Sequence, residues 1–157
     1  MMMIKTLSRW VIETCTKLNW IGPLLVRLIV GGAFVLTGWG KLHGLDGVTE
    51  FFTELGIPLP HANAVFVTTV EFVGGLMLIA GLGTRIAAAL LIGTMTVALA
   101  TAIVPRAESL ADLFATIELT YLGIFAWLAV HGAGKASLDH LLLSRRGHAV
   151  HAVGEAA

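Results

Sequence analysis

Four separate runs of about twenty mostly apolar residues dominate this chain, and few folds can accommodate them. They extend from about Gly22 to Leu42, Ala62 to Leu82, Arg85 to Val104 and Leu113 to His131. A helix crossing a bilayer needs about 20 such residues. Strands of a membrane barrel would be near ten residues long and would alternate apolar with polar, which these runs do not. Turn chemistry separates them: Gly44-Leu45-Asp46-Gly47, Pro58-Leu59-Pro60, Gly81-Leu82-Gly83, Pro105 and Gly132-Ala133-Gly134. Of the 157 residues, 57% are hydrophobic and 13% charged, well away from about 25% charged in soluble domains. The sequence therefore reads as an all-α integral membrane protein with a four-helix transmembrane bundle.

The first twenty-one residues follow a different pattern. Lys5, Arg9, Glu13 and Lys17 recur every four residues, opposite Ile4, Leu7, Val11 and Leu18, with Trp10 and Trp20 as interfacial anchors. This spacing predicts an amphipathic helix over residues 4–19, lying on the membrane surface or on a partner subunit. The expected organisation is an interfacial segment at 1–21, a membrane domain at 22–143 and a short, disordered cytoplasmic tail at 144–157. Seven basic residues (Lys5, Arg9, Lys17, Arg85, Lys135, Arg145 and Arg146) fall on one side of the spans, against Lys41 and Arg106 on the other. That bias predicts cytoplasmic termini, with residues 43–61 and 105–112 facing outward.

Ten basic and ten acidic residues cancel, so no net field recruits nucleic acid. The lone cysteine, Cys15, excludes an internal disulfide, a CxxC motif and a cysteine-rich zinc or iron–sulfur site within this chain. His43, His61, His131, His140, His148 and His151 are the remaining transition-metal or haem ligands. An axial haem pair would need His43 and His61 both turned inward, and residues so placed are more often interfacial caps.

Three ionisable residues lie inside the spans: Arg27, Glu71 and Glu118. A charge at the bilayer centre costs about 2.5–3.5 kcal/mol even on insertion scales, so each needs a partner, water or protonation. Counting depth at ~1.5 Å per residue places Glu71 near mid-span, with Arg27 toward one side and Glu118 toward the other. The expected pairs are Arg27–Glu71 and, more loosely, Lys41–Glu118, with Tyr121 adding a hydroxyl one turn from Glu118. Such residues either clamp helices together or line a polar cavity where a protonatable site serves a quinone or a moving proton. Gly31, Gly32 and Gly38, then Gly74 and Gly75, and Gly93 with Ala87–Ala89, are small residues that let membrane helices approach closely. Gly74 and Gly75 would also leave space beside Glu71.

A set of short motifs runs along the chain in order: Leu25-Val26-Arg27-Leu28 with Gly31 and Phe34, Gly38-Trp39-Gly40-Lys41-Leu42, Phe51-Phe52, and Leu55-Gly56-Ile57-Pro58. It continues through Glu71-Phe72-Val73-Gly74-Gly75-Leu76, Leu78, Gly81, Thr84-Arg85 and Gly132-Ala133-Gly134-Lys135-Ala136-Ser137-Leu138-Asp139. In these motifs the sequence resembles the DoxX family of small bacterial membrane proteins. The resemblance implies a four-helix bundle in the bacterial inner membrane. It also implies a link to thiosulfate:quinone oxidoreductase subunits and to assemblies handling thiol or oxidative stress. It singles out Arg27, Lys41, Glu71, Arg85, Ser137 and Asp139. With no redox centre in the chain, any oxidoreductase activity needs a bound quinone, a haem or a partner subunit.

The functional expectation is a redox-associated membrane subunit. It would bind quinone through Arg27, Glu71, Lys41 and Tyr121, with Arg27, Glu71 and Glu118 catalytic and Gly74, Gly75, Arg85, Ser137 and Asp139 structural. Asp139 would accept backbone hydrogen bonds or pair with Arg85, and Ser137 would cap a helix over residues 138–143. Two other readings compete: a non-enzymatic anchor or assembly factor for a partner protein, and a small oligomeric transporter of protons, metals or a hydrophobic ligand.

Overall fold

The computed structural model describes residues 16 and 18–144, and every element among them is helical. Of the interfacial helix expected over residues 4–19 only 16, 18 and 19 are described; the rest of it, the tail from 145, and His148 and His151 lie outside the described residues. Helix α1 runs Ile21–His43, a short α2 spans Leu45–Glu54, and α3 follows at Pro60–Ala80. Helix α4 starts at Thr84, is regular to Ala98, and continues through a π-helical turn, Leu99–Ile103, and a 3-10 turn, Val104–Arg106. A single turn, α5 (Leu110–Phe114), precedes α6 (Ile117–His131), and residues 138–144 form a last short helix, α7.

Three helices, Ile21–His43, Pro60–Ala80 and Thr84–Arg106, are long and apolar enough to cross a membrane, whereas Ile117–His131 is shorter. The run expected from Leu113 to His131 is thus divided. Ser109 and Asp112 form a reciprocal capping box that starts α5, and the chain breaks at Ala115–Thr116 before restarting at Ile117. The loop at 43–61 is not merely a turn, because Leu45, Val48, Phe51 and Phe52 recur at helical spacing and α2 forms there.

Helix α1 packs chiefly on α3, α4 on α6, and α3 on α4, while α2 leans on α3. Gly31 and Gly75 set the α1–α3 contact. A Cβ on Gly31 would stand 2.8 Å from the Gly75 carbonyl, and one on Gly75 would stand 2.8 Å from the Gly31 carbonyl. Gly38 is equally close to the Phe72 backbone. Gly32 and Gly93 have open space around them and take no part. The core is small, built around Val30, Phe34, Leu78, Leu91, Phe125 and Leu128. Large apolar side chains ring the outside instead: Ile29, Leu36, Ile86 and Val130 are each more than 60% exposed. That inversion suits a hydrocarbon surround and not water.

Candidate functional site

The glycine contacts fix the antiparallel register of α1 against α3, and the register decides which charges meet. Gly31 lies against Gly75 and Ile79, and Gly38 lies against Phe72. Continuing outward, Lys41 meets Glu71, and in the opposite direction Arg27 meets Gly81. Lys41 and Arg27 are fourteen residues apart, about 21 Å along the helix, so only one of them can reach Glu71. The Lys41 Nζ donates to both carboxylate oxygens of Glu71, at 2.8 and 2.7 Å. The expected Arg27–Glu71 and Lys41–Glu118 pairs do not form. Depth counted separately on each helix misplaced the partners.

The Lys41–Glu71 pair forms part of the wall of a cavity of about 780 Å³ at the end of the bundle that carries α2. This volume is within the range of small-molecule sites, roughly 300–1,000 Å³. Side chains of α1, α2, α3, the end of α4 with its π-helical turn, and α6 line it, mostly apolar, with Phe34, Phe51, Phe52 and Met95 among them. Glu71 is 4% exposed, whereas Lys41 is 41% exposed along its side chain. The carboxylate is therefore the buried anchor and the ammonium faces the cavity. An ammonium carries three N–H donors, and two are committed to Glu71.

Glu118 and Tyr121 line the same cavity from α6, joined by Arg106 from the 3-10 turn. No side-chain hydrogen bond or ion pair ties these three groups to another described residue. The Tyr121 ring is held edge-on to Phe34, with centroids 5.1 Å apart, and stacks on Phe125 at 6.1 Å. The cavity thus presents an anchored cation on one wall and an unpaired phenol and carboxylate on another. Arg106 went unrecognised in sequence, where it counted only toward topology. Its signal was a lone basic residue after Pro105 at a span end. The π-helical turn, whose Thr101, Ala102 and Ile103 face the cavity, left no sequence signal. Such turns are rare and are frequently found at functional sites.

Arg27 belongs to a different structure at the opposite end of the bundle. It is fully buried and donates from Nη2 to the Ala136 carbonyl, with the Asp139 charge acting on it. Asp139 does not pair with Arg85. Its carboxylate accepts from the backbone N–H groups of Gly83 and Thr84, at 2.7 and 3.1 Å, capping the start of α4. The Asp139 N–H in turn donates to the Gly81 carbonyl. Arg85 reaches the Val130 carbonyl at 3.1 Å. The Ser137 hydroxyl accepts from the His140 N–H and so caps α7.

Gly74 and Gly75 do not open space beside Glu71. Gly75 is filled by the α1 backbone, and Gly74 faces Leu91. His43 and His61 are both exposed. The His43 ring bonds the Trp39 carbonyl and His61 approaches Thr49. No group of three or more His, Cys, Asp or Glu that could hold a metal occurs among the described residues.

Apolar helices with outward-facing hydrophobes, enclosing one charged cavity, define a small helical membrane protein. The DoxX family pattern matches residues 22–104, more than half of the chain, and the chain belongs to that family. It is similar to the inner membrane protein YqjF of Escherichia coli, with 34% identity over 132 residues, covering 80% of this chain and 95% of that protein. A Bacillus subtilis protein named "Putative oxidoreductase CatD" shares 37% identity over 81 residues, 52% of this chain and 59% of that one. The inner membrane protein YphA of Escherichia coli shares 26% over 126 residues, covering 74% and 86%. No solved structure matches.

Proposed function

We propose that this protein is a membrane subunit of an oxidoreductase system and binds a quinone head group in the cavity beside Lys41. The observation that carries this reading is the buried Glu71 carboxylate holding a half-exposed Lys41 ammonium at a cavity whose other ionisable groups, Arg106, Glu118 and Tyr121, have no side-chain partner. The cavity fits the ligand chemically. Aromatic and aliphatic walls suit a flat ring, and a quinone oxygen accepts a hydrogen bond from an ammonium or a phenol. When bound, a quinone supplies two-electron chemistry coupled to two protons, with the electrons delivered by a partner subunit's carrier.

The chain's own residues supply orientation and protons. The third N–H of Lys41 would donate to one ring oxygen, and Glu71 holds the ammonium in place. Tyr121 and Glu118 face the ligand from α6 and serve proton movement, Glu118 as an acid or base within reach of the cavity mouth. Arg27 takes no part in this chemistry, and its role is to close the opposite end of the bundle. The likeness to a relative named as an oxidoreductase supports the redox assignment.

The same reading has α6 as a fourth span with both termini cytoplasmic. Helix α6 starts at the cavity end, while residues 132–139 reach the Gly81 end, so it runs between the same two ends of the bundle as α3. Its fifteen residues give about 22 Å, short for a bilayer core of about 30 Å unless the membrane thins or flanking residues snorkel.

The test is extraction of lipids from the detergent-purified protein, followed by quinone titration of the wild type, K41Q and E71Q. Stoichiometric quinone, lost in both variants while they remain folded, is the expected result. Wild-type protein that neither co-purifies with nor binds quinone would overturn the reading.

A further inference from the structure

Lys41 shares the cavity wall with a second cation. Arg106, the last residue of the 3-10 turn that ends the α4 run, lines the same space. Among the described residues it makes no ion pair and no side-chain hydrogen bond. The Lys41 charge is met by Glu71, whereas Glu118, which also lines the cavity, stays beyond ion-pair reach of Arg106.

The chain just before Arg106 brings it to the wall. Pro105 has no N–H, and its ring clashes with the carbonyl four residues back, that of Thr101. The helix widens before it. The Val104 N–H reaches back five residues to the Leu99 carbonyl, which seats one more residue in the turn than an α-helix holds. In an unbroken α-helix the residue two turns after Ala98 is seven further on, Pro105. With the extra residue it is Arg106. Ala98 and Arg106 accordingly line the cavity, while Val104 and Pro105 do not.

The two cations come from opposite corners of the bundle. Helix α1 packs on α3, α3 on α4 and α4 on α6, whereas α1 and α4 make few contacts or none, so these two lie across the diagonal. Both cations stand at the same end, Lys41 two residues before α1 stops and Arg106 where the α4 run stops. Tyr121 sits deeper. Its ring packs on Phe34, seven residues before Lys41 and so about 10 Å further into the bundle along α1.

We propose that Arg106 is a second head-group residue, donating to the ring oxygen opposite the one that Lys41 holds, an inference that rests on the quinone reading above. A 1,4-quinone is flat, apolar on both faces, and carries an acceptor oxygen at each end. A cavity with apolar walls and a donor cation at each of two opposite corners matches that arrangement. A guanidinium has five N–H donors in one plane, and none of those on Arg106 is committed to another side chain. An aromatic ring with a single oxygen would leave one of the two cations unused. The π-helical turn is then the device that positions the second donor.

The experiment titrates decyl-1,4-benzoquinone and a decyl cyclohexadienone, a flat ring with one carbonyl, into the detergent-purified full-length protein. R106Q is expected to bind the quinone about tenfold more weakly than the wild type, the low end for a hydrogen bond to a charged group because Arg106 is exposed. It is expected to bind the one-carbonyl ring almost as the wild type does, since Lys41 still serves that oxygen. K135Q, which removes a cation at the other end of the bundle, should change neither. Equal losses for both ligands in R106Q, or a matching loss in K135Q, would make the effect one of overall charge and overturn the assignment. An oxygen-selective loss in Y121F and none in R106Q would give the second oxygen to the phenol, also overturning it. Quinone binding that falls in K41Q but not in R106Q overturns the role of Arg106 and leaves the head-group reading standing. Wild-type protein that binds no quinone removes both.

Discussion

Lys41 and Glu71 are thirty residues apart in sequence, yet the ammonium lies 2.8 and 2.7 Å from the two carboxylate oxygens, the anion buried and the cation half open. The asymmetry means that the two residues are not equivalent. Removing Lys41 strands a buried carboxylate, whereas removing Glu71 releases a cation that can turn toward the cavity.

K41M is therefore expected to lower stability by about 2–3 kcal/mol, below the ~3–5 kcal/mol of a fully buried pair because Lys41 is half solvated. E71M should cost less, and the K41M/E71M double variant should recover most of the loss. Thermal unfolding of the four proteins in one detergent checks this. Additive losses would mean that the pair is not coupled.

The glycines on α1 divide into those that touch α3 and those that do not. At Gly75 an added Cβ meets the Gly31 carbonyl and the Val35 nitrogen at 2.8 Å each, closer than real contacts allow. G75A is expected to force the helices apart, at about 1–3 kcal/mol, and to weaken the Lys41–Glu71 contact that depends on the register. G32A meets nothing and gains helix propensity of up to about 1 kcal/mol. Opposite signs for the two variants in the same unfolding assay are the expected outcome.

These variants also mark where the sequence was readable. Helix length, apolar faces and buried charges follow from composition along one helix, and Lys41, Glu71, Glu118 and Tyr121 were recognisable individually. The pairing was not. It depends on the offset of α1 against α3, which the backbone contacts at Gly31, Gly38 and Gly75 impose. Small residues at helical spacing announce an interface but not which rung meets which. The amphipathic pattern of α2, Leu45, Val48, Phe51 and Phe52, was present but obscured by glycines taken as turns. Asp139 as a cap was half legible, since its alternative partner Arg85 is on the same side of the membrane domain.

Asp139 supplies the next prediction. Its carboxylate accepts two backbone N–H bonds at the start of α4, where the helix dipole also favours an anion. D139A is expected to cost about 1–2 kcal/mol, and D139N somewhat less because one acceptor oxygen survives. Hydrogen exchange at Gly83 and Thr84 should accelerate in both, more in D139A, while the amides around Glu71 stay protected. Uniform loss of protection throughout the bundle would argue against a local cap.

Gly81 and Arg27 give the sharpest test at that end. Gly81 has φ +66°, and a Cβ there would stand 1.7 Å from the Arg27 Nη1. The glycine is thus required for two separable reasons, a left-handed backbone and a seat for a buried guanidinium. The first costs an alanine about 1–2 kcal/mol. Displacing the guanidinium adds the loss of its bond to the Ala136 carbonyl, about 1–3 kcal/mol for donors left unpaired. G81A in the wild type is therefore expected to cost roughly 2–5 kcal/mol as the sum of these two contributions. In an R27A background the backbone share and the approach to the Ser137 Cβ, at 2.7 Å, should remain, and only the guanidinium share should be lost. A double-mutant cycle measured by thermal or denaturant unfolding isolates the difference. A coupling near zero would mean that Arg27 does not depend on Gly81 for its place.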